Sequence, residues 1–187
     1  MALLLFTLSL LVVFSFGNIR VSEYKPVSYA RQFPDTKLDY HSYSPTGEMH
    51  VYTSSFFHSA PGLSDNVALY LKEMPRNAFK GLYIDGGGPI IIPRKLMEEE
   101  EKYLEFLPMA APYLLKENPN VLLVKLGGGT SVFTALYHNA RKVTVVEEDH
   151  AVINLIKNVD VVRDFNKDVV RDPRVKVIST EPRAYCA

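Results

Sequence analysis

Val121–His150 reads VLLVKLGGGTSVFTALYHNARKVTVVEEDH, and its order of residue types decides the fold. VLLVKL is a short apolar run, as expected of a buried parallel strand. Gly127-Gly128-Gly129 is a turn, and Thr130 can cap the helix SVFTALYHNA. Lys142–Val146 is the next strand, and it ends in an acid pair. Ala151–Asn158 follows as a helix with Val152, Ile153, Leu155 and Ile156 apolar. Val159–Arg171 is charged and reads as a loop or short helix, and Arg174–Ser179 is a third strand. Alternating strands and helices specify a parallel α/β sheet with right-handed crossovers.

Ligands of such sheets sit beyond the carboxyl ends of the strands. Glycines after the first strand permit positive φ and close approach of backbone to ligand. A carboxylate ending the second strand can accept hydrogen bonds from both ribose hydroxyls, and Glu147 stands there, about 20 residues beyond Gly127. Glu148 and Asp149 are the alternatives, and Asp149 could instead cap the helix that follows. Glu181, after the third strand, would lie near a base ring. GGGTS lacks the Gly-Lys-Ser/Thr ending of a phosphate loop and the last glycine of G-x-G-x-x-G. A pocket for an S-adenosyl-type nucleoside is therefore preferred to one for a dinucleotide.

Working outward, Arg94–Leu115 reads as a helix with Leu96, Tyr103, Leu104, Phe106 and Leu107 on its apolar side. Glu98–Glu101 form a solvated acidic face, and Pro108 and Pro112 kink or restart the helix. Upstream, KLDYHSY and EMHVYTS alternate about Ser44-Pro45-Thr46-Gly47, and GLYIDGGGPIIIP gives a second strand–turn–strand. Asp85 in that second turn could help bind an amine, or could only serve the turn. Met1–Ile19 is an uncharged apolar segment that just reaches the length of a bilayer span, about 17–25 residues. No basic residue precedes it and Ser15-Phe16-Gly17 is a poor cleavage site, so an anchor is preferred to a cleaved signal. Arg20, Lys25 and Arg31 place the remainder on the cytoplasmic side, the periplasmic side being the alternative. The chain thus divides into a transmembrane anchor (1–19), a linker (20–36), a β-hairpin unit (37–93) and a partial Rossmann-like nucleoside-binding domain (94–187).

The bulk composition narrows the function. Twenty-one basic residues balance 21 acidic ones, so no global field draws in nucleic acid. Cys186 is the only cysteine, which excludes an intrachain disulfide and a cysteine-based zinc site. The histidines are scattered, His50 and His58 show no ligand spacing, and no metal is expected.

These residues carry a resemblance. VLLVKLGGGTSVFTALYHNARKVTVVEEDHAVINLI resembles the spermidine synthase branch of the S-adenosylmethionine-dependent transferases. In that family a glycine motif precedes a helix and V-E-x-D-P follows the second strand; here the latter is Val146-Glu147-Glu148-Asp149-His150. DPRVKVISTEPRAY is similar to the family's segment around its third strand, with Glu181 and Arg183 at its Asp and Arg. GLYIDGGGP is similar to its L-Y-L-D-G-x-x-Q turn, and the apolar N-terminus to its membrane-bound bacterial members. The resemblance implies binding of S-adenosylmethionine or its decarboxylated form, with Gly127, Gly128 and Gly129 on the amino-acid or aminopropyl side. Glu147 would hold the ribose and Glu181 would face the adenine. The departures are specific. Thr130 replaces the Asp of the glycine motif, and Pro89 falls near the hairpin Gln. Tyr103-Leu104-Glu105 stands where the family has Tyr-His-Glu. The fourth strand, with the acid that deprotonates the attacking amine, would follow Ala187. Catalytic residues are therefore unassigned. Three expectations stay open: a fragment of a longer chain, a partner chain that completes the sheet, or a non-catalytic accessory subunit of a membrane complex.

Overall fold

The computed structural model describes residues 21–57, 63, 77–96 and 98–187. Among them no helix is long and apolar enough to cross a membrane. The span expected over Met1–Ile19 lies outside the described residues.

The first unit is a four-stranded antiparallel meander, β1 (Lys37–Ser44), β2 (Gly47–Thr53), β3 (Phe79–Ile84) and β4 (Gly87–Pro93), in that spatial order. Pairs about Pro45–Thr46 are symmetric, with Ser44 opposite Gly47 and His41 opposite His50. Asp85 and Gly86 turn β3 into β4 with φ of 49° and 75°. Two successive left-handed residues form the tight turn whose twist matches its strands, and Asp-Gly is a preferred pair for it. A short helix, α1 (Pro26–Ala30), packs on this turn: Val27 and Ala30 are fully buried, and the Val27 amide donates to the Gly86 carbonyl at 3.2 Å.

The long helix expected over 94–115 is replaced by α2 (Glu98–Glu101) and two 3-10 segments, Lys102–Phe106 and Pro108–Leu114. Leu107, the residue before Pro108, is extended at φ −74°, ψ 141°. Proline's ring disfavours the helical region for its predecessor and removes a donor, so the helix cannot run through. The apolar side survives the break, with Leu96, Tyr103, Leu104 and Leu107 buried. The acidic block is ion-paired: Glu100 meets Arg94 at 3.3 Å and Glu101 meets Lys95 at 2.7 Å.

The second unit alternates as expected: β5 (Asn120–Val124), α3 (Thr130–Tyr137), β6 (Lys142–Glu147), α4 (His150–Asn158), α5 (Asp160–Asn166), β7 (Val175–Ser179) and α6 (Pro182–Cys186). Its sheet is parallel in the order β5-β6-β7. Val159–Arg171 is mostly helical rather than loop. β6 is central and buries Val143, Val145 and Val146. β5 is not the buried strand that its apolar run predicts. It has a β-partner on one side only among the described residues, and Leu122 and Val124 are 45% and 57% exposed. An apolar run marks a strand that can be covered on both faces and does not report which neighbours it has.

Candidate nucleoside-binding site

The carboxyl ends of β5 and β6 bring the glycine turn and the acid pair together. After β5 the chain turns through Lys125, Gly127 and Gly129, at φ of 75°, 52° and 92°. The Gly129 amide closes on the Leu126 carbonyl at 3.0 Å, and Gly129 starts α3. Left-handed backbone is cheap for glycine and costly for a residue with a Cβ, which is why this turn needs Gly127 and Gly129.

Gly128 has a different reason. A Cβ built on it would lie 1.8 Å from the Ile91 carbonyl oxygen on β4. The turn is therefore seated against the backbone of the β-unit at this residue, and close approach here serves packing as well as any ligand. Thr130 does not cap α3, as no side chain does. Its hydroxyl instead donates to that same Ile91 carbonyl at 3.2 Å.

Glu147 ends β6 and is 4% exposed. One carboxylate oxygen accepts the Leu126 amide at 2.9 Å and the other accepts the Asp149 amide at 3.1 Å. The side chain is thus fixed between the glycine turn and the start of α4. An ionised carboxylate offers about four acceptor positions. The two main-chain amides take one each on Oε2 and Oε1, leaving one position per oxygen for a pair of hydroxyl donors. A buried carboxylate at this place repels a phosphate, which agrees with the absence of a phosphate-loop Lys.

The other sequence candidates divide. Glu148 is half-exposed and pairs with Lys125 at 3.3 Å. Asp149 caps α4, accepting the Ala151 amide at 2.8 Å, and also accepts the Thr46 hydroxyl from the β1–β2 turn. Burial pushes its carboxyl up, but the bonds from Thr46 and the Ala151 amide outweigh this and hold it below the usual range. Glu181 is the N-cap of α6, accepting the Ala184 amide at 2.8 Å from an exposed position. Asp85 lies in the β3–β4 turn of the other unit, and the ammonium it meets is that of Lys25, at 3.4 Å from its carboxylate and 2.7 Å from its carbonyl. Glycines 127–129 and Glu147 therefore share one place, while Glu181 and Asp85 each have a local structural partner. A cavity of about 460 Å3 opens over β5, lined by Met109, Tyr113, Leu122 and Thr134 among others; neither the glycines nor Glu147 line it.

Linear spacing hides a second constellation. His41 on β1 and Glu48 and His50 on β2 meet on one face of the meander, contrary to the expectation of scattered histidines. The signal was the hairpin itself: with the turn at Pro45–Thr46, His41 must pair with His50, and Glu48 shares the His50 face two residues away.

No family model matches the chain, and no curated protein matches it. Among solved structures it is similar to the spermidine synthase of Thermotoga maritima, at 18% identity and a TM-score of 0.49 over 80% of this chain and 42% of that one. It is similar to a spermidine synthase in complex with the transition-state analogue AdoDATO, at 20% identity and a TM-score of 0.48, covering 80% and 41%. A probable spermidine synthase from Corynebacterium glutamicum follows at 16% identity and 0.46, covering 80% and 47%. The chain spans less than half the length of each. At this level they are likenesses, and the functional reading rests on the glycine turn and Glu147.

Proposed function

We propose that this chain is a membrane-anchored, spermidine-synthase-like protein that holds the nucleoside of S-adenosylmethionine or its decarboxylated form. The observation that carries the reading is Glu147. Its carboxylate is buried, aimed by two main-chain amides, placed at the end of β6 beside the glycine turn, and retains acceptor capacity for two hydroxyls. The ribose diol supplies those donors. Met1–Ile19 anchors the chain, with the remainder on the cytoplasmic side. Aminopropyl transfer also needs a base for the attacking amine; the proposal assigns that role to no residue of this chain.

The test is calorimetric titration of the detergent-solubilised chain with each ligand, repeated on Glu147→Gln. The variant keeps the side-chain shape but loses one acceptor oxygen and the charge. Binding by the wild type, weakened at least about tenfold in a folded variant, supports the site; losing a hydrogen bond to a charged group costs about 1.5–3 kcal/mol. Equal binding by the variant removes Glu147 from it.

A specific observation favours a second reading, a non-catalytic accessory subunit of a membrane complex. Gly128 is seated on Ile91, and Asp149 is tied to Thr46, so parts of the motif join the two units. Binding of neither ligand selects this reading. Retention in the membrane pellet after alkaline carbonate washing is required by both.

A further inference from the structure

We propose that His41, Glu48 and His50 form a binding site for a divalent transition-metal ion, with zinc the ion that the donor set fits best. This site is independent of the nucleoside reading. Among the described residues it is the one group of three or more His, Cys, Asp or Glu side chains whose ligand atoms converge, all within 4.8 Å of one another. Glu48 Oε1 lies 2.7 Å from His41 Nε2 and 3.5 Å from His50 Nε2. Ligands at about 2.0–2.2 Å around a tetrahedral zinc stand roughly 3.3–3.5 Å apart, so the Glu48–His50 spacing fits such a shell, while the Glu48–His41 hydrogen bond must lengthen by roughly 0.6 Å to admit the ion.

The scaffold supports this. The three residues come from adjacent antiparallel strands, with His41 directly opposite His50, so their Cα positions are fixed by the sheet. The rings are stacked at 4.7 Å with an 18° angle between planes. Ligation requires both to swing about χ2 until their in-plane lone pairs converge, and that torsion is broad for histidine. His41 is exposed, and its 2.7 Å hydrogen bond to Glu48 must break for its ring to swing. His50 is 5% exposed and lies against Tyr52, whose hydroxyl accepts from Arg31 at 2.9 Å.

Two imidazoles and one carboxylate leave a fourth position open, so the site would hold its ion with a water or an outside ligand in that position.

The test uses the full chain, solubilised in detergent, stripped with a chelator and titrated calorimetrically with zinc chloride. The expected result is saturable binding of about one equivalent. His41→Ala and Glu48→Gln, both at positions open enough to leave the fold unchanged by circular dichroism, should each weaken it at least about tenfold, since losing even a residue that only orients a ligand costs that much. Cobalt should report the same site by a tetrahedral visible absorption that both variants lose. No saturable binding, or zinc affinity in the His41→Ala/Glu48→Gln double variant equal to that of the wild type, overturns the proposal.

Discussion

Replacing Gly128 by alanine tests whether the glycine turn is seated on the β-unit. The added Cβ would lie 1.8 Å from the Ile91 oxygen, 2.4 Å from its carbonyl carbon and 2.9 Å from the Ile92 nitrogen. Ordinary non-bonded contacts lie near 3.5–4.0 Å, so the gap must open by roughly 1.7 Å. The obstacle is backbone, and Ile91 is held in register opposite Gly81 on β3, so nothing can rotate aside. Overpacking of this kind costs about 3 kcal/mol, the top of its usual range. Parting the turn from β4 also breaks the Thr130–Ile91 hydrogen bond, a further loss of about 1 kcal/mol. The sum, about 4 kcal/mol, is a large part of a typical stability of 5–15 kcal/mol and corresponds to a fall in Tm of about 10 °C. Gly127→Ala is the control. Its Cβ would meet only Ile90 Cγ2 at 3.4 Å, so its cost is the left-handed backbone, about 1–2 kcal/mol. Urea denaturation followed by circular dichroism gives both numbers. A Gly128→Ala cost within about 1 kcal/mol of zero, or below that of Gly127→Ala, would refute the seating of the turn on β4.

Two further outcomes are expected. Lys80 is buried with its ammonium on Asp39 and on the Thr53 hydroxyl, 4.8 Å over the Phe165 ring. Lys80→Met strands the Asp39 carboxylate and should cost about 3–5 kcal/mol in urea denaturation, much of it recovered in Lys80→Met/Asp39→Asn; no recovery would show that the pair is not the source. Stability should also fall with acid in two stages. Burial depresses the His50 ring, so below about pH 6.5 the unfolded state binds the extra proton and stability drops as pH falls toward the folded value. For Asp39 and Asp149, burial raises the carboxyl. Lys80 and Thr53 on the first, and Thr46 and the Ala151 amide on the second, more than offset it. Their contribution is full above about pH 3.9 and is lost as pH falls through the lowered folded values. Urea midpoints measured across pH 3–8 check this, and a midpoint that rises on acidification would contradict it.

What could be read from the sequence follows what is local in the chain. The Asp85-Gly86 turn, the symmetric pairing about Pro45–Thr46, the strand–turn–helix of 121–137 and the acid ending β6 are all written within a few residues of where they act. Asp149 as a helix cap was legible on the same ground. Arg94–Leu115 departs from the single helix that its apolar spacing predicts because that spacing is real, while Pro108 dictates an extended Leu107. Three features depended on contacts between segments far apart in sequence. β5 is half-exposed because, among the described residues, only β6 flanks it, Gly128 is required by a carbonyl on β4, and Thr130 turns to that carbonyl instead of capping α3. The histidine pair shows the intermediate case: its spacing is meaningless along the chain and becomes a constraint once the hairpin register is applied.

The central claim is that the turn after β5 and the acid ending β6 form one nucleoside half-site. Amide hydrogen exchange of the solubilised chain, with and without decarboxylated S-adenosylmethionine, tests it most directly. The Leu126 and Asp149 amides already donate to Glu147, so a ligand seated on that carboxylate must slow exchange there. The account predicts protection concentrated in peptides covering Leu126–Thr130 and Glu147–Asp149. Unchanged exchange in both segments at saturating ligand would contradict it.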